Sequence, residues 1–142
     1  MYTAAAGVAL VLVGVLAQQP AAPSRTPTPL SFEVFKADIQ PIFLKKRPGH
    51  ARCVACHGQG TVLRLQPLGP GRTTWTEEES RKNFDAIRRV VVPGNVRSKL
   101  LLHPLEEKAG GDFYHNGGKH FASQNDPEWL TLKAWVLGQT AK

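Results

Sequence analysis

Arg52-Cys53-Val54-Ala55-Cys56-His57-Gly58 is the stretch on which the reading of this chain turns. Thiols at i and i+3 lie on one side of a helical turn, and the next residue sets an imidazole beside them. In that arrangement Cys53 and Cys56 can add to the two vinyl groups of one haem as thioethers, while His57 binds the iron beneath the ring. These are the only two cysteines among 142 residues. A disulfide across so short a loop removes little chain entropy, and small exported domains stapled by disulfides carry more cysteines than this. Other chemistries remain open for the same residues. A thioredoxin-like redox pair lacks the βαβ surroundings it needs. A zinc site could pair the cysteines with His115 and His120, whose spacing suits a metal, but the gap to the cysteines is far longer than in a zinc finger and His57 is left without a role.

Upstream of the motif, residues 31–47 place Phe32, Phe35, Ile39, Ile42 and Phe43 at the spacing of one helix face, with Ser31 as N-cap. Pro41 is expected to kink or restart that helix, and Pro48-Gly49 to end it. Downstream, residues 58–75 read as a glycine-punctuated loop carrying the apolar strip Val62-Leu63-Arg64-Leu65. Thr76 and Glu79 form a capping box for a helix running through Phe84, Ile87 and Val91, stopped by Pro93-Gly94. Asn95 is expected to cap a short helix from Val96 to Leu102. A second glycine-rich loop spans residues 110–125. Asp126 and Pro127 then start a last helix whose inward face is Trp129, Leu132, Trp135 and Val136. No strand with two-residue alternation is evident. The expectation is an all-α fold of three to four helices, with loops long enough to wrap over a buried group.

Residues 1–17 are apolar and uncharged and end in Val15-Leu16-Ala17, the pattern of a secretory signal peptide cleaved near Ala17. The alternative is an uncleaved N-terminal membrane anchor, but the apolar run is shorter than the roughly 20 residues of a spanning helix, so cleavage is expected, with no stable membrane insertion after it. Residues 18–30 hold four prolines and read as a stiff, solvated linker. Residues 31–142 form the expected domain. The formal net charge is +7, but the basic residues are scattered rather than clustered with aromatics. That argues against nucleic acid as a partner and fits a solvated surface or a docking face for an acidic redox partner.

The order of these pieces resembles the class I-like monohaem cytochrome c domains of planctomycete and acidobacterial type. The matching stretches are Ile39-Gln40-Pro41-Ile42-Phe43, Cys53-Val54-Ala55-Cys56-His57-Gly58, Val91-Val92-Pro93-Gly94-Asn95 with Ser98-Lys99-Leu100-Leu101, His115-Asn116-Gly117-Gly118, and the segment from Trp129 to Val136. The resemblance covers nearly all of the mature domain. It implies a small cytochrome c-like fold whose terminal helices cross, one covalent haem c, and an electron-transfer role in the periplasm or another exported compartment.

Ordinary class I members place a Met on the far side of the iron. The single Met here is Met1, which leaves with the signal peptide. His115 matches the His-x-Gly-Gly of the resembling domains and is the favoured distal ligand. His120 is the alternative, because it matches the usual Met position by its distance from Asp126. Of the other candidates, His50 lies too near the motif in sequence to reach the opposite face easily, and His103 reads as a solvent-facing residue; Lys119 and an open iron position also remain. The leading expectation is an electron carrier and not an enzyme. A haem enzyme or gas or redox sensor with an open distal site, and a zinc-binding interaction module, are the alternatives.

Overall fold

Ser31 opens the first helical run by accepting the Val34 N–H at 3.2 Å. The computed structural model describes residues 28–139, so the expected signal peptide and most of the Pro-rich linker lie outside the described residues. The run comprises α1 (Phe32–Val34), a π-helical turn (Phe35–Ile39) and α2 (Gln40–Leu44). Pro41 explains the π turn. It has no N–H to donate, and its ring would press on the carbonyl four residues back. The wider turn, closed by the Gln40 N–H on the Phe35 carbonyl, absorbs both effects. The expected kink is therefore a π turn.

The run stops at Leu44, short of Pro48, because Lys45 is already extended (ψ 129°). Arg47, which the sequence presents as one of many scattered surface cations, is buried. Its guanidinium donates to the Ile42 carbonyl at 3.3 Å, pairs with Glu128 and lies 5.2 Å from the Phe121 ring centre. The motif itself forms the short helix α3 (Cys53–His57).

α4 (Glu77–Arg88) carries the capping box in full. Thr76 accepts from the Glu79 N–H at 3.3 Å, and Glu79 accepts from the Thr76 N–H at 2.8 Å. The helix ends at Arg88 and does not reach Val91, although Val91 is buried. α5 (Lys99–Leu102) starts later than Asn95 suggests. Asn95 instead accepts from the Arg97 N–H at 2.8 Å, a local turn that competes with capping. The buried Ser98 hydroxyl accepts from the Val92 N–H and donates to the Val92 carbonyl, which ties the start of α5 to the preceding loop. α6 (Pro127–Val136) is capped by Asp126, which accepts from the Glu128 and Trp129 N–H groups.

Among the described residues regular structure is helical; the one strand-like pairing is an isolated parallel bridge between Leu105 and Phe121. The expected inward face of α6 (Trp129, Leu132, Trp135 and Val136) is buried in full. Trp135 sits 5.8 Å from Phe35 and sends its indole N–H to the Ser31 carbonyl at 2.9 Å, joining the last helix to the first helical run. Phe84 of α4 completes this aromatic cluster at 5.5 Å from Phe35. Trp129 donates to the Leu101 carbonyl at 3.1 Å, fixing α6 against α5. Each large apolar side chain buried here contributes roughly 1.5–3 kcal/mol. Leu30, inside the stretch read as linker, packs against this core as well.

The two long loops are anchored, not free. In the first, Leu65 is fully buried and donates its N–H to the His57 carbonyl at 2.8 Å. Trp75 and Asn83 clamp Gln66, through its carbonyl at 2.7 Å and its N–H at 2.6 Å. In the second, His120 and Phe121 both donate to the Pro104 carbonyl, at 2.8 and 3.0 Å. Gly111 passes so close to the chain that a Cβ there would lie 1.9 Å from the Leu105 carbonyl oxygen.

Candidate functional site

The site is built on α3. Val54, 8% exposed, faces the core and pins the helix, while Cys56 is exposed and Cys53 half-buried. Both thiols are free. Burial pushes the Cys53 thiol pKa up, with the nearby Arg47 guanidinium acting in the opposite direction. Gly58 closes the helix by donating to the Val54 carbonyl at 2.8 Å, and a Cβ at this position would meet the same oxygen at 2.8 Å. A glycine directly after the motif is thus a steric requirement.

The first loop returns over His57. Its Nδ1 lies 2.8 Å from both the Leu63 carbonyl and the Thr61 hydroxyl. A carbonyl only accepts, so Nδ1 carries the proton and Nε2 keeps a free lone pair, the state a metal-binding imidazole needs. His115 repeats the device on the second loop. Its Nδ1 donates to the Gly118 carbonyl at 2.6 Å, and the Gly118 N–H returns a bond to the His115 carbonyl at 2.9 Å. The turn needs glycine at 118, where φ is +78°. Burial lowers the His115 pKa, against the Gly118 bond.

The structure brings these two imidazoles together. The His57 and His115 ring centres lie 6.2 Å apart with planes 22° from parallel. Metal–imidazole bonds of about 2.0–2.1 Å allow the ring centres of two imidazoles on one ion to lie up to about 6 Å apart, so the spacing of this pair is compatible with a shared metal. Apolar side chains around the pair are uncovered: Val62 is 97% exposed beside the His57 support, and Phe113 and Tyr114, just before His115, are 83% and 64% exposed. A flat apolar group with a metal at its centre fits both features. Cys53 and Cys56 would hold it covalently, and His57 and His115 would bind its metal.

The remaining histidines converge on the same face. His120 lies 5.9 Å from His115, and His50 lies 4.8 Å from His120. Burial, with the Arg47 guanidinium and the neighbouring imidazoles adding to it, pushes the His120 pKa down to about 4, so its ring is neutral at ordinary pH. His103 lies 5.6 Å from His115, and its Nδ1 is 2.5 Å from the Asp112 carboxylate. The Lys99 hydrogen bond, with that of His103, holds Asp112 below the usual carboxylate range despite its partial burial. All five histidines of the chain thus form one connected face.

Sequence reasoning singled out His57, His115 and His120 but set His50 aside by its nearness to the motif. Arg47 was missed as well. Its one sequence mark is Pro48, which disfavours helix at the residue before it and so turns Arg47 off the helix axis. Among the described residues no group of three or more His, Cys, Asp or Glu side chains converges at metal-binding distance, and no helix is long and apolar enough to cross a membrane. Neither the models of known protein families nor the curated proteins nor the solved structures contain a match to this chain.

Proposed function

We propose that this chain is an exported c-type cytochrome that carries electrons through a single covalent haem c. The observation that carries the reading is the pair His57 and His115, ring centres 6.2 Å apart and each with Nδ1 committed to a backbone carbonyl, with His57 on the same short helix as two free thiols. In this reading the haem, when bound, supplies a one-electron Fe(III)/Fe(II) couple. The residues do the rest. Cys53 and Cys56 would hold the haem through thioethers. Leu63 and Gly118 would orient the His57 and His115 imidazoles that hold the metal. The apolar rim of Val62, Phe113 and Tyr114 limits access of water. Imidazole in place of a distal thioether sets a potential below that of His/Met cytochromes. The net charge of +7 favours an acidic redox partner, with association that weakens as salt rises.

The test is a pyridine haemochrome spectrum with intact mass, on protein exported from a host that matures c-type cytochromes. The expected result is one haem per chain, a mass equal to polypeptide plus haem, and an N-terminus near residue 18. A colourless protein with only its polypeptide mass overturns the reading. His115→Ala is expected to convert low-spin iron to high-spin; an unchanged spectrum transfers the distal role to His120.

One observation favours a second reading, a haem enzyme or sensor. The His103–Asp112 pair beside His115 is an acid–base couple next to the distal side. Five-coordinate high-spin iron in the untreated protein, with peroxide turnover lost in His103→Ala, would select it.

A further inference from the structure

We infer that His50 and His120 form a second metal site, separate from the axial pair, for a late divalent transition ion such as Cu(II).

The five histidines divide by what their ring nitrogens do. In His57, His103 and His115, Nδ1 is tied to a carbonyl or a carboxylate. Among the described residues neither ring nitrogen of His50 or His120 has a hydrogen-bond partner, and the His120 Nδ1 is buried without one. A buried polar atom left this way costs about 1–3 kcal/mol. The two rings nonetheless stand 4.8 Å apart at 42°, close enough for imidazoles sharing one ion in adjacent positions.

A Cβ on Gly118 would lie 3.4 Å from His50 Nδ1, and one on Gly117 would lie 3.9 Å from His120 Nε2. Both nitrogens thus adjoin the Gly117-Gly118 turn at ordinary van der Waals separation. The rings come from different segments. His50 sits in a turn closed by its N–H on the Arg47 carbonyl at 3.2 Å, and His120 is held by its N–H on the Pro104 carbonyl at 2.8 Å. Their approach is therefore a tertiary contact that the fold maintains.

Imidazole nitrogens suit borderline ions, and Cu(II) binds most tightly in the divalent series. With no third His, Cys, Asp or Glu side chain at metal distance among the described residues, water completes the coordination. The site is then exchangeable and accessible. It lies beside the proposed axial pair but does not rest on the haem reading.

The experiment is a Cu(II) titration of the exported, haem-bearing protein, followed by calorimetry and electron paramagnetic resonance. Binding of a single Cu(II) with nitrogen hyperfine structure is expected. His50→Ala should weaken it by about tenfold or more, since loss of even an outer-shell partner costs a metal site about 10–100-fold, and should leave the haem spectrum unchanged. His103→Ala, whose Nδ1 is already committed to Asp112, should leave Cu(II) affinity as it was. Absence of binding, indifference to His50→Ala, or equal loss in both variants overturns the site. If the preparation carries no haem, the thiols are alkylated first and the same His50 dependence is read, so failure of the haem reading and failure of this site give different results.

Discussion

The aromatic core and the histidine face lie in one small fold and are finished differently. Phe35, Phe84 and Trp135 close on one another, and the Trp135 indole N–H finds a carbonyl. Around His57 and His115, Val62, Phe113 and Tyr114 stay uncovered, and a buried His120 nitrogen has no partner. The same kinds of side chain are thus satisfied by protein at one end and left for something else at the other. Apolar and polar groups left incomplete in one region are what the proposed haem would cover.

The largest expected effect sets the two regions directly against each other. Phe35→Ala should lower unfolding stability by about 3–5 kcal/mol in urea titrations, because it empties a fully buried site. Phe113→Ala should stay within about 0.5 kcal/mol in haem-free chain. A greater loss with haem bound would measure how far the group covers that ring; equal losses for Phe35→Ala and Phe113→Ala without haem would erase the distinction.

Next comes the strut between the regions. Arg47 and Glu128 have side chains 10% and 23% exposed, and their pairing ties the chain before α3 to α6. Arg47→Met should cost about 2–3 kcal/mol, below the roughly 3–5 kcal/mol of a fully buried broken pair because Lys45 still reaches Glu128 at 2.7 Å. Adding Glu128→Gln should recover part of the loss; strictly additive effects in the double-mutant cycle would show the pair is not coupled.

Smaller again, Thr76→Ala should remove about 1 kcal/mol by losing the cap of α4, read by thermal unfolding. The smallest effect is in acid. Arg72, and then the Thr76 N–H, hold the Glu79 carboxyl at about 2 against an ordinary 4.5. The folded state then binds fewer protons than the unfolded one. The stability Glu79 contributes is complete above pH 4.5 and is lost as pH falls toward 2. Glu79→Gln should flatten Tm against pH within that window and leave it unaltered near neutrality; an unchanged acid slope would remove Glu79 from the linkage.

What could be read in advance follows from the range of each interaction. α4 and α6 were legible because their caps and apolar faces are local: Thr76 with Glu79, and Asp126 before Pro127 with Trp129, Leu132, Trp135 and Val136. The end of α2 and the start of α5 were not, because tertiary partners decide them. Arg47 turns inward to Ile42 and Glu128, and Ser98 stitches to Val92 while Asn95 spends its side chain on Arg97. In the site, CxxCH and His-x-Gly-Gly carry their local geometry in the residues themselves. The meeting of His50 with His120 joins positions far apart in the chain, and no spacing rule encodes it.

Gly111 gives the second loop a point of no tolerance. Its backbone needs no left-handed torsion, yet a methyl group there would occupy the place of the Leu105 carbonyl oxygen, one residue beyond the Pro104 carbonyl that holds His120 and Phe121. Alanine at 111 therefore acts as a wedge, prising the 105–121 seam open and displacing both imidazoles of that loop without touching either ring. A single added carbon is thus expected to shift the loop that carries His115 and His120.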